Sequence, residues 1–312
     1  AYTIPAVLNF VYSAYFARKV FNLHYGFLWD VKVFKLFIAF ALPFAIAGIV
    51  GRLYSYSDSL IMSKLLSNQE LGWWSVPYKI TFAFQFIPVA LSASIFPVMS
   101  SLYIEDKTKI SALFEKSWRY LFMIVFPLSF GLFVLAEPAI IKLYRADYFA
   151  SIPVLQILVI SLIFGFLSLI TGALLNATNK QRTQTTLLAV CLAVNIIINL
   201  ILIPRWGIMG AATAALTSNI LLWIGGFYFA SREIPMRYGA LFKFANQSFW
   251  PALIMAFVVN FLAQKMHFII TVPIGAMVYA MLLFVTGGIN YKMIKQVVDK
   301  VYKVQPEEPM AS

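Results

Sequence analysis

The chain has 312 residues, 62% of them hydrophobic and only 12% charged, and its 24 Lys and Arg outnumber 12 Asp and Glu for a net charge of +12. A mean hydropathy of +0.83 is more apolar surface than a soluble domain hides, so the fold class expected is all-α integral membrane, with about 20 apolar residues per span. Uniformly apolar runs exclude the alternating pattern of a membrane barrel, and bases spread along the chain, without interleaved aromatics, exclude nucleic acid as a partner and point to anionic lipid headgroups.

In chain order, nine runs read as transmembrane helices: 2–16, 36–62, 76–102, 120–143, 153–177, 185–203, 208–230, 250–262 and 268–289. Of the 24 bases, 17 fall in one alternating set of connections and 5 in the other. By the positive-inside rule this places the C-terminus in the cytoplasm and residue 1 outside, in a multi-pass plasma (inner) membrane protein. Six of the seven tryptophans sit at run ends, with Trp29, Trp118 and Trp250 on one side, Trp73, Trp74 and Trp206 on the other, and Trp223 mid-run. The stretch from Glu105 to Trp118 mixes acids, bases and Ile110, Leu113 and Phe114 at helical spacing, and reads as a short amphipathic helix on the membrane face. Pro43, Pro88, Pro97 and Pro127 lie within runs and are candidate kinks. The polar tail after Ile289 reads as disordered.

The second run carries the unusual chemistry, Gly51-Arg52-Leu53-Tyr54-Ser55-Tyr56-Ser57-Asp58-Ser59. Helical spacing puts Arg52, Ser55, Tyr56 and Ser59 on one stripe. The second and third runs form a hairpin about Asn68-Gln69, which brings Asp58 level with Lys79, and Arg52 level with Gln85. An Asp58–Lys79 pair leaves Arg52 uncompensated in the membrane. Two readings stand at this point. The charges close into an internal network or snorkel outward, or Arg52 faces a water-filled cavity and receives an anionic group, for which a guanidinium fork matches phosphate. Arg52, Lys79 and Gln85 are therefore the substrate-binding candidates, and Asp58 is their charge partner or an ion-coupling group. Asn195 and Asn199, four apart, read as inter-helix hydrogen-bonding residues. Cys191 reads as a small buried hydrophobe, and His24 and His267 lie near opposite faces, so neither a metal site nor a cofactor is expected.

Two stretches resemble a known family. One runs from Gly172-Ala-Leu-Leu-Asn176 through Asn195-Ile-Ile-Ile-Asn199 and Pro204-Arg-Trp-Gly207-Ile-Met-Gly210-Ala-Ala. The other carries Pro43, Asp58, Gly72, Tyr78-Lys79-Ile80 and Phe96-Pro97. Both are similar to polysaccharide flippases of the multidrug/oligosaccharidyl-lipid/polysaccharide exporter superfamily. A third segment, Leu143-Tyr144-Arg145 to Tyr148, resembles the family's link into its tenth helix, where Tyr-Gly is more usual than Tyr144-Arg145. The resemblance implies a division into 1–35 (a flanking helix and linker), 36–231 (a six-helix lobe), 232–290 (a linker and two further helices) and 291–312 (a tail). It implies that the first five helices of the family precede this chain, which reads as a truncated product. It implies translocation of a polyprenyl-diphosphate-linked oligosaccharide, with membrane lipids and polysaccharide assembly proteins as further partners and no enzymatic chemistry. The alternatives are a drug or cation exporter of the same superfamily, a polytopic enzyme of polysaccharide assembly, and an inactive scaffold. Two bases against the sole mid-membrane acid, Asp58, disfavour the exporter, and short loops disfavour the enzyme.

Overall fold

The computed structural model describes residues 3–21 and 30–289, so the tail from residue 291 and residues 22–29 of the first linker lie outside it. Among the described residues each apolar run falls mainly on helix. The elements are α1 (Thr3–Phe21), α2 (Val31–Leu65), α3 (Asn68–Phe84), α4 (Phe86–Glu105), α5 (Lys107–Val134), α6 (Ala136–Tyr144), a 3₁₀ turn (Ala146–Tyr148), α7 (Ser151–Ala177), α8 (Gln181–Trp206), α9 (Ile208–Glu233), α10 (Tyr238–Ala263) and α11 (Phe268–Val285). Among the described residues six segments are long and apolar enough to cross a bilayer, namely α3 with α4, α5, α7, α8, α9 and α10, with residues 270–285 of α11 a shorter apolar helix. This is a multi-pass, all-α membrane protein.

Proline explains why two runs are divided. A proline has no amide for the carbonyl four residues back, and its ring crowds that carbonyl. Accordingly α3 ends at Phe84, four before Pro88, and α5 ends at Val134, four before Pro138. At the first break Gln85 N donates to Phe82 O (3.0 Å), a tighter 3₁₀ bond. Pro97 and Pro127 sit within continuous helices.

The helices also extend past their apolar runs. The expected membrane-surface helix at 105–118 does not form separately: only Asp106 separates α4 from α5, and residues 107–118 are the first turns of α5. Asp106 caps that helix, its carboxylate accepting from Thr108, first the side chain and then the backbone amide, which holds the carboxyl below the usual carboxylate range. Ile110, Phe114 and Trp118 are buried, so Trp118 is a core residue rather than an interfacial one. Lys116 is exposed on the outer face of this helix, whereas Arg119 is half-buried and stacks over Phe244.

Close packing divides the chain within α2, into Ala1–Gly48 and Ile49–Ser312. The first unit holds α1 and the leading half of α2, where Asp30 Oδ1 accepts from Lys32 N (2.7 Å). In the second, α7 is central, with 67% of its apolar window buried, and packs against α9, α5, α4, α3, α6 and α8. Its Phe166, Ile170 and Leu174 share one apolar cluster with Ile110, Phe114, Trp118, Leu121 and Val125 of α5 and with Met255 and Val259 of α10. Glu115, 2% exposed, receives Arg237 in a forked pair, Nη2 to Oε2 at 2.6 Å and Nε to both oxygens at 3.0 Å. Arg119 Nη2 donates to the Gly288 carbonyl (2.6 Å) beyond α11.

Two turns set the frame of the site. Ser67 opens α3 with a capping box, Ser67 N donating to Glu70 Oε2 (2.9 Å) and Glu70 N to Ser67 Oγ (3.3 Å). Gly207 alone joins α8 to α9, at φ 56° and ψ −134°, a conformation that favours glycine. A Cβ on Gly210 would lie 2.5 Å from the Leu202 carbonyl, so α8 and α9 meet backbone to backbone there.

Candidate functional site

A cavity of about 720 Å³ lies within the second unit, among the latter half of α2 and α3, α4, α7, α8 and α9. That volume falls in the range of small-molecule sites. Its lining on α3 and α4 runs from Trp74 to Phe96, roughly 30 Å at the helical rise.

The α2 wall is Gly51, Tyr54, Ser55 and Asp58, spaced as one helical stripe. Asp58 Oδ1 accepts from Asn199 Nδ2 (2.6 Å) and Asn195 Nδ2 (3.1 Å). Asn199 Nδ2 also donates to Asn195 Oδ1 (3.0 Å), which accepts from Ser57 Oγ (2.7 Å) as well. Asn195 and Asn199 are 2% and 0% exposed. Their four-residue spacing on α8 gives one face, and that face is what holds Asp58. Higher up the wall, Tyr54 Oη donates to Asn219 Oδ1 (3.1 Å) and Asn219 Nδ2 donates to Ser161 Oγ (2.8 Å), joining α2, α9 and α7.

The α3 wall of the cavity is aromatic. Trp74, Tyr78 and Phe82 recur every fourth residue of α3 and line the cavity. Trp74 and Tyr78 stack with centroids 6.2 Å apart, and Tyr78 and Phe82 at 5.9 Å. Tyr78 Oη donates to the Ser55 carbonyl (3.2 Å), tying α3 to α2.

Of the residues singled out in the sequence, Asp58, Gln85 and Asn195 line the cavity, with Asn199 behind Asp58. Arg52 and Lys79 do not line it; both are exposed. The cavity takes the stripe 51, 54, 55 and 58 instead of the one through Arg52, Ser55, Tyr56 and Ser59. The expected Asp58–Lys79 pair is likewise absent among the described residues: Asp58 is met by two asparagines of α8, and Lys79 stands one residue, about 100°, beyond cavity-lining Tyr78. The hairpin reading of depth was close, since Tyr78 reaches Ser55; the rotation of each helix was not in it. Asp58 is consequently the one ionisable carboxylate, and no Lys or Arg appears, among the described lining residues. Tyr54, Trp74 and Tyr78 were not read from the sequence as site residues, although the aromatic period of four on α3 was there to be read.

The comparisons with known proteins bear on this architecture. Residues 4–153 match the family model described as polysaccharide biosynthesis protein. A Shigella flexneri protein assigned as an O-antigen transporter is 23% identical over 229 residues, 70% of this chain and 53% of its own length. The capsular polysaccharide biosynthesis protein CapF of Staphylococcus aureus is 23% identical over 240 residues, 73% of this chain and 58% of its own. Among solved structures, the lipid II flippase MurJ in an inward closed conformation superposes with a TM-score of 0.67 over 85% of this chain and 57% of that one, at 18% identity. The chain thus spans about half the length of the relatives it matches, over the same fold as MurJ. In that fold, in the family model over residues 4–153 and in those relatives, the chain is similar to the polysaccharide flippases of the multidrug/oligosaccharidyl-lipid/polysaccharide exporter superfamily.

Proposed function

We propose that this chain carries one lobe of a transporter that moves a polyprenyl-diphosphate-linked oligosaccharide across the plasma (inner) membrane for cell-surface polysaccharide assembly, without enzymatic chemistry. The observation that carries the reading is the cavity inside the helical bundle, whose largely apolar wall is set with hydroxyls, amides and the Asp58 carboxylate. Buried hydroxyls, amides and a carboxylate at membrane depth are costly unless a polar cargo or water uses them. Alternating access requires two bundles about one path, and the six-helix lobe expected at 36–231 supplies one.

Arg52 and Lys79 are the groups offered to the diphosphate. Each stands one residue beyond a cavity-lining neighbour, Gly51 and Tyr78, so they flank the path rather than line it. Gln85 lies in the break between α3 and α4, exposed to the cavity. Asp58 is the coupling group. Both of its hydrogen bonds fall on Oδ1, and Oδ2 accepts none among the described residues, which leaves it for a proton or an alkali cation. Gain or loss of that charge alters the hold of α8 on α2.

The test is proteoliposome transport of a fluorescent lipid-linked oligosaccharide by the full chain. Arg52→Ala is expected to abolish transport while insertion is unchanged, and Asp58→Asn to remove its dependence on the ion gradient. Full, gradient-dependent transport by both variants overturns the assignment. A second reading, export of an organic cation, is favoured by Asp58 as the lone charge beside an aromatic wall; uptake of tetraphenylphosphonium that Asp58→Asn abolishes would establish it instead.

A further inference from the structure

We propose that the groove between α4 and α5 binds an anionic phospholipid of the surrounding bilayer, seated on the opposite face of α4 from the cavity and independent of what the cavity carries.

The two faces of α4 give the first argument. Val89, Ser92, Ala93 and Phe96 line the cavity, while Ile87, Ala90, Leu91 and Ser94 line a separate groove of about 510 Å³. At about 100° per residue these stripes point to opposite sides of the helix. The second wall of the groove is Tyr120, Met123 and Ile124 of α5. Only Asp106 joins the two helices, and near it they share the buried cluster of Met99, Ile110 and Phe114. Farther along, the short side chains of Ala90 and Ser94, one turn apart, leave a gap between the helices. Ser94 Oγ already donates to the Leu91 carbonyl (2.8 Å). The gap therefore offers water little to bond and offers hydrocarbon an apolar wall.

The mouth of the groove says which hydrocarbon. The mouth is Tyr120, where the apolar run of α5 begins. Lys116, one turn farther out on the same stripe, holds its Nζ over the Tyr120 ring, 5.9 Å from the centroid. That lysine is exposed and makes no ion pair among the described residues. An ammonium and an aromatic ring at the membrane boundary, above an apolar slot, match a phosphate above a hydrocarbon chain. From Ser94 to Ile87 the slot runs roughly 10 Å at the helical rise. That lies within the ~15 Å that one leaflet contributes to a ~30 Å core, whereas a polyprenyl chain overruns it. A lipid chain lying there backs the α4 wall of the cavity and holds that helix in place.

The experiment is photo-crosslinking of the full chain in phosphatidylcholine vesicles that contain diazirine-tailed phosphatidylglycerol, with the labelled peptides mapped by mass spectrometry. Labelling is expected to concentrate on residues 87–94 and 120–124 over the exposed apolar faces of α10 and α11, and to be displaced by unlabelled phosphatidylglycerol but not by phosphatidylcholine. Ala90→Phe fills the gap and is expected to abolish it. Lys116→Gln is expected to weaken it about fivefold, the order for one lysine at an anionic surface. Both positions are exposed, and the unfolding midpoint in lipid-free detergent checks that each variant folds. Added phosphatidylglycerol is expected to raise that midpoint more for the unaltered chain than for either variant. Labelling spread evenly over the outer faces of all the helices, equal labelling by diazirine-tailed phosphatidylcholine, or full labelling of Lys116→Gln overturns the proposal. So does a polyprenyl phosphate that displaces phosphatidylglycerol from the groove and is not displaced by it. The flippase reading is decided separately, by transport.

Discussion

Asp58 offers the sharpest energetic test, because the structure says which bonds each replacement removes. Asp58→Ala deletes the acceptor of two buried amides, Asn199 at 2.6 Å and Asn195 at 3.1 Å. Hydrogen bonds between membrane helices average about 0.6 kcal/mol and reach about 1.7 kcal/mol. The short bond to a carboxylate belongs at the top of that range and the longer one near its mean. Asn199 Nδ2 keeps a partner in Asn195 Oδ1 (3.0 Å), whereas Asn195 Nδ2 is left with none, which adds about 1 kcal/mol. The total is about 3 kcal/mol. Asp58→Asn preserves shape and one carbonyl acceptor and costs about 1 kcal/mol. At the 2–4 °C per kcal/mol typical of chains of roughly 150–250 residues, fluorescence-monitored unfolding in one fixed detergent is expected to drop by about 9 °C for Asp58→Ala and about 3 °C for Asp58→Asn. The pair Asp58→Ala with Asn199→Ala then falls short of the sum of the singles by about 1–2 kcal/mol, because both remove the same bond. Equal drops for Ala and Asn, or a strictly additive pair, would show that this cluster is not what fastens α2 to α8.

Other replacements test the frame around the cavity. Arg145 holds φ 73° and ψ 172°, a region that costs a side-chain-bearing residue about 1–3 kcal/mol; Arg145→Gly, less the extra freedom glycine gives the unfolded chain, is expected to stabilise by about 1 kcal/mol, and an unchanged or lower unfolding midpoint refutes the strain. Gly210→Ala sets a methyl 2.5 Å from the Leu202 carbonyl, a backbone contact that no rotamer relieves, so a loss of about 2–3 kcal/mol and a lower membrane yield are expected, against little change for Gly239→Ala, whose added Cβ meets open space. Arg237→Met strands the buried Glu115 carboxylate, so it is expected to lower the unfolding midpoint more than Glu115→Gln does, and the double variant more than recovers the difference; the opposite order refutes the pairing.

Much of the fold was legible because a bilayer permits few solutions. The apolar runs fall on helices, two of them divided at prolines, and the stretch from Pro204 leaves the single residue Gly207 between α8 and α9. The departure from Tyr-Gly at Tyr144-Arg145 marked a real constraint, since Arg145 adopts a backbone conformation that glycine holds without cost. The ends of helices were less legible. A run of charge and apolarity such as 105–118 has the same composition whether it lies on a membrane or buries one stripe against α7, and only the partner decides. Breaks at Pro88 and Pro138, with continuity at Pro97 and Pro127, again depend on whether neighbouring elements and the freed carbonyl can adjust.

The candidate site separates depth from rotation. Counting residues from a hairpin turn gives depth, and it brought the levels of Asp58 and the α3 tyrosine close together. It gives no azimuth, and one residue of error turns a side chain by about 100°, the difference between Gly51 in the cavity wall and Arg52 outside it. Asn195 and Asn199 escaped this ambiguity because short amides in the middle of an apolar helix cannot reach water and must face a partner. Arg52 and Lys79 have long stems that carry the charge away from where the Cα points, so the sequence never constrained their direction. The aromatic wall was hidden for the converse reason: Trp74, Tyr78 and Phe82 are as satisfied in a core or in lipid as along a cavity, so their spacing alone does not mark a site. Side chains with few places to go therefore position this site, and the long cations beside it are the ones whose direction the sequence left open.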